Sequence, residues 1–236
     1  MGGYLLALEP AALIEAVIFD MDGVLLDSEQ IWDKARERYV KDVGGRWIAS
    51  AQTDMMGMSS TEWSQYMHDA LSVPRSAPEI NADVIALIEQ IYDRDGFPII
   101  DGAIAAVERL AAKWPLGLAS SSNRPIIDLV MSATPFGKYF KVTVSSEEVA
   151  RGKPNPDVYL KAAELLRARP ERCAGVEDSH NGILALRNAG MRAIAIPNPH
   201  YPPHPVALRT ATVVLSTIEQ LTPDVVERGI ITSPQA

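Results

Sequence analysis

A doubly wound α/β fold, a parallel sheet covered on both faces by helices and interrupted once by a helical insertion, follows from three observations on the 236-residue sequence. Short, nearly continuous apolar runs recur with helical stretches between them. One long gap in that rhythm holds no strand-like run. Four polar clusters stand directly after the apolar runs, where a parallel sheet gathers its strand ends on one rim.

The opening MGGYLLALEPAALIEAV is apolar, yet it has no basic leading segment and is broken by Glu9, Pro10 and Glu15. It is therefore expected to be neither a secretion signal nor a membrane span. The first run, AVIFD, lies at 16–20; LGLAS follows at 116–120, VTVSS at 142–146, CAGVE at 173–177, AIAIP at 193–197 and TVVLS at 212–216. Runs that do not alternate with polar residues suit strands buried on both faces, and β-runs alternating with helices suit a Rossmann-like parallel sheet.

Between the first and second runs the apolar residues fall at helical spacing: Ile31, Ala35, Tyr39 and Val43, then Trp63, Met67, Ala70 and Leu71, then Ile80, Val84, Leu87, Ile88 and Ile91. Gly44 and Gly45, Pro74 and Pro78, and Gly96 to Pro98 separate these helices. A further helix through Ile104, Val107, Leu110, Ala111 and Trp114 leads into the second strand. The reading is a core of residues 1–32 and 99–236 with a helical cap of residues 33–98. An insertion after the first strand hangs over the carboxyl ends of the sheet, as a lid would. The proline-dense PNPHYPPHP at 197–205 reads as a stiff extended connection.

Composition narrows the functional classes. With 47% hydrophobic and 22% charged residues the chain is of globular type rather than disordered. Its 22 basic and 30 acidic side chains leave a net charge of −8, which disfavours nucleic acid or an acidic membrane as a partner. The single cysteine, Cys173, cannot form an internal disulfide, which fits a reducing compartment such as the cytoplasm.

The four clusters carry the chemistry. VIFDMDG delivers Asp20 at a strand end and Asp22 two residues later; taken alone this could be a solvated turn. Ser120, Ser121, Ser122 and Asn123 follow LGLA, and such residues also start helices routinely. Helix starts are anion sites as well. In RGKPNPD, Lys153 precedes a helix start read as Asn155 at the N-cap and Pro156 in the first turn. Glu177, Asp178 and Ser179 follow CAGV, and two adjacent acids repel unless a cation or base lies between them. Together the clusters offer a nucleophile, an acid/base, an anion clamp and a metal carboxylate, the set that phosphoryl transfer requires.

The ordered motifs VIFDMDG, LASSSN, GKPNPD and GVEDSHNG resemble those of the haloacid dehalogenase superfamily of Mg²⁺-dependent phosphatases and mutases, and the insertion resembles the cap of its β-phosphoglucomutase and sugar-phosphatase branch. The resemblance implies that Asp20 takes the phosphoryl group as an aspartyl-phosphate and that Asp22 acts as general acid and then base. It implies that Ser120 and Lys153 bind phosphoryl oxygens, that Ser121 and Asn123 assist, and that Mg²⁺ is held by Asp20, Asp22, Asp178 and Glu177, the last directly or through a neighbour. Met58, Ser59 and Ser60 would face a small phosphorylated metabolite, with a sugar phosphate the best match, from the cap.

Asp22 argues against dehalogenation, which in this superfamily lacks the second carboxylate. A phosphosugar mutase of the same branch carries a histidine where this chain has Trp32 and a phosphate-binding arginine where it has Ser60. Without a cation in the cap to hold a second phosphate, hydrolysis is the simpler expectation. A catalytically silent binding protein is the remaining alternative. The expected state is a monomer or weak dimer. His68, His180, His200 and His204 lack zinc spacing, and no Walker, G-x-S-x-G or G-x-G-x-x-G motif is present.

Overall fold

The computed structural model describes residues 13–56 and 58–229; most of the apolar opening segment, at 1–12, lies outside them. Among the described residues six strands form one parallel sheet: β1 Ala16–Phe19, β2 Leu116–Ser120, β3 Phe140–Ser145, β4 Cys173–Glu177, β5 Arg192–Ala195 and β6 Val213–Val214. Their order is β3-β2-β1-β4-β5-β6. Each coincides with an apolar run of the sequence.

Burial on both faces explains why those runs do not alternate. On β1, Val17 and Phe19 enter one core with Leu116, Leu118, Ala174 and Val176, while Ala16 and Ile18 enter a second with Val158, Tyr159, Ala162 and Leu186. Successive strand residues point to opposite faces, so every position must be apolar when both are covered.

The chain leaves β1 to lay β2 and β3 on one side and later returns to place β4, β5 and β6 on the other. Loops diverge where the order reverses, which opens a crevice at the carboxyl ends of the central strands. Asp20 follows β1, Ser120 ends β2, and Glu177 with Asp178 ends β4, so all four stand at that crevice.

Above it lie α1 Glu29–Asp42, α2 Ala51–Met55, α3 Ser60–Asp69 and α4 Ala77–Asp95. The stripes read from the sequence are buried in part: Ala35 and Tyr39 on α1, Trp63 and Met67 on α3, and Ile80, Val84 and Ile88 on α4. The buried face of α1 is turned to include Trp32 and Val40 while Ile31 and Val43 are only partly covered, and Tyr92 joins the buried face of α4 while Leu87 and Ile91 are half-buried. Ser59 and Ser76 start α3 and α4 through reciprocal capping boxes with Glu62 and Glu79. The two chain passes joining this layer to the sheet run side by side: Asp27 N–H donates to Pro98 O at 2.8 Å and Ile100 N–H to Leu25 O at 3.0 Å. The helix α1 is continuous from Glu29, so the expected boundary at 32/33 falls inside it rather than at a break.

The remaining helices are α5 Ala103–Ala111, α6 Arg124–Ala133, α7 Asp157–Leu165, α8 His180–Asn188, α9 Pro205–Leu208 and α10 Pro223–Arg228. Two local expectations are corrected. Pro156, not Asn155, is the N-cap of α7, because the Asn155 side chain turns back to donate to Gly152 O at 3.1 Å. The proline-rich stretch ends one residue into α9, whose Pro205 occupies a first-turn position that needs no N–H.

Candidate active site

A buried ion pair organises the site. Lys153, in the loop before α7, lies 3.0 Å from Asp20 Oδ1 and 2.6 Å from Glu177 Oε1, with its side chain 1% exposed. Its ammonium also stands 5.0 Å from the centre of the Tyr159 ring, and Tyr159 donates to the same Glu177 oxygen at 2.6 Å. The other Glu177 oxygen accepts from the backbone N–H of Asp178 at 3.0 Å, and from the N–H and hydroxyl of Ser179 at 3.1 and 3.0 Å. Burial favours the neutral form of Glu177, but the Lys153 charge and hydrogen bond prevail and hold its carboxyl below the usual range. The lysine is raised in turn: burial opposes its charge, and Asp20 and Glu177 overcome that opposition.

Asp20 and Asp178 are in the opposite condition. Burial pushes the Asp20 carboxyl well above the usual carboxylate range; Lys153 counters this, while Glu177 and Asp22 add to it. Asp178 is likewise pushed well up, by burial and then by Glu177, Glu29 and Asp20. Asp178 Oδ2 accepts from Asn198 at 3.1 Å. Its Oδ1 is buried and accepts nothing among the described residues, and Asp20 Oδ1 has only the ion pair, without an aligned hydrogen bond.

Two glycines permit this crowding. Gly23 takes φ +76°, and a Cβ there would lie 1.9 Å from Asp178 Oδ2. A Cβ on Gly182 would lie 1.8 Å from Glu177 Oε1, so α8 passes as close to that carboxylate as backbone can.

Hydroxyl groups surround Asp22. Ser28 donates to its Oδ1 in a short contact, and Ser122 donates to Oδ2 at 2.5 Å. Ser120 donates to the same Oδ2 at 3.4 Å and accepts from Ser122 N–H at 3.0 Å. A hydroxyl can donate or accept by rotating, so these three serines can adjust to whatever Asp22 bonds.

Asp20, Asp22, Ser121, Ser122, Lys153 and Asp178 line one pocket from the sheet side. Trp32, Met55, Met56, Met58 and Trp63 close it from the helical layer, leaving about 50 Å³ that water can occupy, a few molecules' worth. The helices thus stand shut over the strand ends.

Several residues expected to touch substrate are placed elsewhere. Ser60 donates to Glu147 Oε1 at 2.5 Å, and Asn123 donates to the same oxygen at 2.8 Å and to Asn81 of α4 at 2.9 Å. Ser59 is occupied as the α3 cap. Ser60 and Asn123 clasp the helical layer to the sheet beside the pocket, and none of the three lines it. Ser120 is fully buried behind Ser121 and Ser122, and Glu177 stands behind Lys153 with both oxygens occupied. Met58 lines the pocket, as do Asp20, Asp22, Ser121, Lys153 and Asp178.

A polar group on α1 and α2 was absent from the sequence reading. Arg36 is 7% exposed, with its guanidinium carbon 4.8 Å from the Trp32 ring centre and 4.9 Å from that of Trp63. Gln52 accepts from Arg36 at 3.4 Å and donates to Glu29 at 3.1 Å. Burial holds Arg36 down to about 10, against the pull of Glu29, and raises Glu29 to about 7 with help from Asp22. Glu29, Trp32 and Arg36 recur at helical spacing on one face of α1, the signal that could have revealed them. The expectation that the cap brings no cation to the pocket is overturned by Arg36.

Similarity to known proteins agrees with this geometry. The chain is 31% identical over 216 residues to hexitol phosphatase B of Escherichia coli (strain K12), covering 89% of this chain and 95% of that protein. It is 29% identical over 188 residues to the bifunctional riboflavin kinase/FMN phosphatase of Arabidopsis thaliana, covering 79% of this chain but only 49%, about half, of that protein. The crystal structure of CbbY from Rhodobacter sphaeroides in complex with phosphate superposes with a TM-score of 0.76 at 24% identity, over 88% of this chain and 96% of that one. The family model for haloacid dehalogenase-like hydrolases matches residues 14–190, and to that family of hydrolases this chain belongs.

Proposed function

We propose that the chain is a Mg²⁺-dependent phosphatase of a small phosphorylated carbohydrate, with Asp20 as nucleophile and Asp22 as general acid and base. The observation that carries this reading is a single buried pocket into which Asp20 and Asp22 from one motif, Lys153 from a second and Asp178 from a third converge. The relatives described as phosphatases point the same way.

The residues fit a hard, oxygen-liganded cation. Carboxylate oxygens of Asp20, Glu177 and Asp178 lie within 4.8 Å of one another, and the buried Asp178 Oδ1 lacks a partner. Glu177 already accepts five hydrogen bonds. Asp20 and Asp178 would therefore hold Mg²⁺, joined by the Asp22 carbonyl as the family resemblance implies, with Glu177 fixing Lys153 and the Asp178 backbone. Bound there, Mg²⁺ supplies charge neutralisation between the attacking carboxylate and the phosphoryl group.

The chain's own residues do the rest. Asp20 attacks phosphorus while Lys153 and the Ser121 end of β2 hold the phosphoryl oxygens in line. Asp22 gives its proton to the leaving oxygen and later takes one from the water that attacks the aspartyl-phosphate. The tryptophans and methionines above the pocket exclude bulk water during transfer, and the layer must open for substrate to enter and product to leave.

A phosphosugar mutase is the second reading, and Arg36 is the observation that favours it. Hydrolysis is preferred because Glu29 and Gln52 flank Arg36, and a carboxylate beside the cation opposes a second phosphate. No helix among the described residues is long and apolar enough to cross a membrane. A cytoplasmic monomer or weak dimer acting on a free metabolite completes the proposal.

The test is phosphate release from a panel of phosphorylated metabolites with Mg²⁺ and with EDTA, by wild type and Asp20→Asn. The expected result is Mg²⁺-dependent turnover by wild type alone. Equal, EDTA-insensitive rates would support a silent binding protein. Conversion of β-glucose 1-phosphate to glucose 6-phosphate without matching phosphate release, given a trace of bisphosphate, would establish the mutase.

A further inference from the structure

The Arg36 cluster is a built polar site with an unmet hydrogen-bonding capacity. A guanidinium carries five N–H donors, yet the described residues give Arg36 one hydrogen bond, at 3.4 Å to Gln52. Its Nε is buried and has no acceptor. Donors buried without acceptors are costly, and a protein retains them where a ligand completes them. Arg36 and Glu29 both line the pocket, and Gln52 ties the two together.

We propose that Arg36 and Glu29 read the leaving group of the substrate as a pair of adjacent hydroxyls, which makes Arg36 a specificity-determining residue for polyol-type phosphate esters. This rests on the phosphatase reading and deepens it.

The choice of ligand follows from the pairing. A charged donor beside a carboxylate acceptor complements a vicinal diol, in which one hydroxyl accepts from Arg36 and its neighbour donates to Glu29. An anionic leaving group fits less well, because Asp20, Asp22, Asp178 and Glu29 already face the pocket. An aromatic leaving group also fits less well, since Arg36 covers the Trp32 and Trp63 faces on which it would stack. Gln52 holds both readers in register, and contact with the edge-to-face pair Trp32 and Trp63 restricts the guanidinium, so little side-chain entropy is lost on binding.

The experiment compares kcat/KM for a pentitol or hexitol phosphate with that for an alkyl phosphate of equal length that lacks the hydroxyls. It uses wild type, Arg36→Met, Arg36→Lys and Glu29→Gln, all with Mg²⁺. Wild type should prefer the polyol ester by about 100-fold or more, as sites built to bond a hydroxyl do. Arg36→Met should lower that preference by roughly 10- to 100-fold, mainly through KM, the scale of a lost charged hydrogen bond. Arg36→Lys should restore part of it and Glu29→Gln should lower it by about 10-fold. If Arg36→Met does not fold, the Arg36→Lys and Glu29→Gln ratios decide.

An unchanged ratio in the variants overturns the proposal, as does a wild-type preference for a bisphosphate that Arg36→Met abolishes. In both cases the phosphatase reading survives if wild type releases phosphate from p-nitrophenyl phosphate. Failure of wild type on every ester, that one included, overturns the phosphatase reading instead.

Discussion

Replacing Lys153 with methionine tests the electrostatic frame of the site, because one ammonium pairs with two buried carboxylates. Lys153 lies 3.0 Å from Asp20 and 2.6 Å from Glu177, and none of the three side chains is more than 10% exposed. Methionine keeps most of the volume and removes the charge, leaving Glu177 buried with four hydrogen bonds and no counter-ion. Stripping one partner from a buried pair costs about 3–5 kcal/mol. In a chain of this size each kcal/mol moves Tm by roughly 2–4 °C, so the expected loss is about 6–20 °C.

The pH dependence has a definite sign. In wild type the Glu177 carboxyl lies below its usual 4.5 in the folded state. Its stabilising contribution is therefore present above that value and lost as pH falls below it. In Lys153→Met burial, the largest influence on this carboxyl, is opposed only by the remaining hydrogen bonds and the folded value rises above the unfolded one, so the same group destabilises increasingly as pH climbs from about 4.5. The assay is urea unfolding of both proteins at pH 5 and pH 8 in EDTA. The gap should be wider at pH 8. A loss under about 1 kcal/mol at pH 8, or a gap that does not widen, would refute the assignment of Lys153 as the counter-ion of this cluster.

Other outcomes follow from particular contacts. Glu147→Ala removes the acceptor shared by Ser60, Asn123 and the Arg124 N–H, so acrylamide should quench the tryptophans above the pocket more strongly than in wild type; equal quenching would show that the clasp does not hold the layer shut. Cys173 is fully buried, and burial pushes its thiol up to about 12. It should resist a thiol reagent at pH 8 in the native protein and react on unfolding, and fast native labelling would contradict its position on β4.

How much of this was legible beforehand depends on the range of the interaction. The sheet was readable because burial on both faces forces apolar runs such as AVIF and CAGV, which leave a local trace. Asp20, Lys153 and Asp178 were readable because strand ends and their loops place them at one crevice. The clasp was not: Ser60, Asn81, Asn123 and Glu147 are brought together only when the helical layer closes on the sheet. Nothing near Ser60 indicates an acceptor 87 positions away. Tyr159 and Asn198, which fix Glu177 and Asp178, look like ordinary helix and loop residues until the packing is known. Arg36 went unread because half of its aromatic contact, the Trp63 ring, comes from another helix.

The central claim is that Asp20 carries the phosphoryl group. Its most direct test is to quench the enzyme in acid during turnover of a ³²P-labelled polyol phosphate with Mg²⁺ and to locate the label by peptide mapping. The expected result is a hydroxylamine-sensitive label on the peptide containing Asp20, absent with EDTA and absent from Asp20→Asn. Undiminished turnover by Asp20→Asn, or a label on another residue, would contradict it.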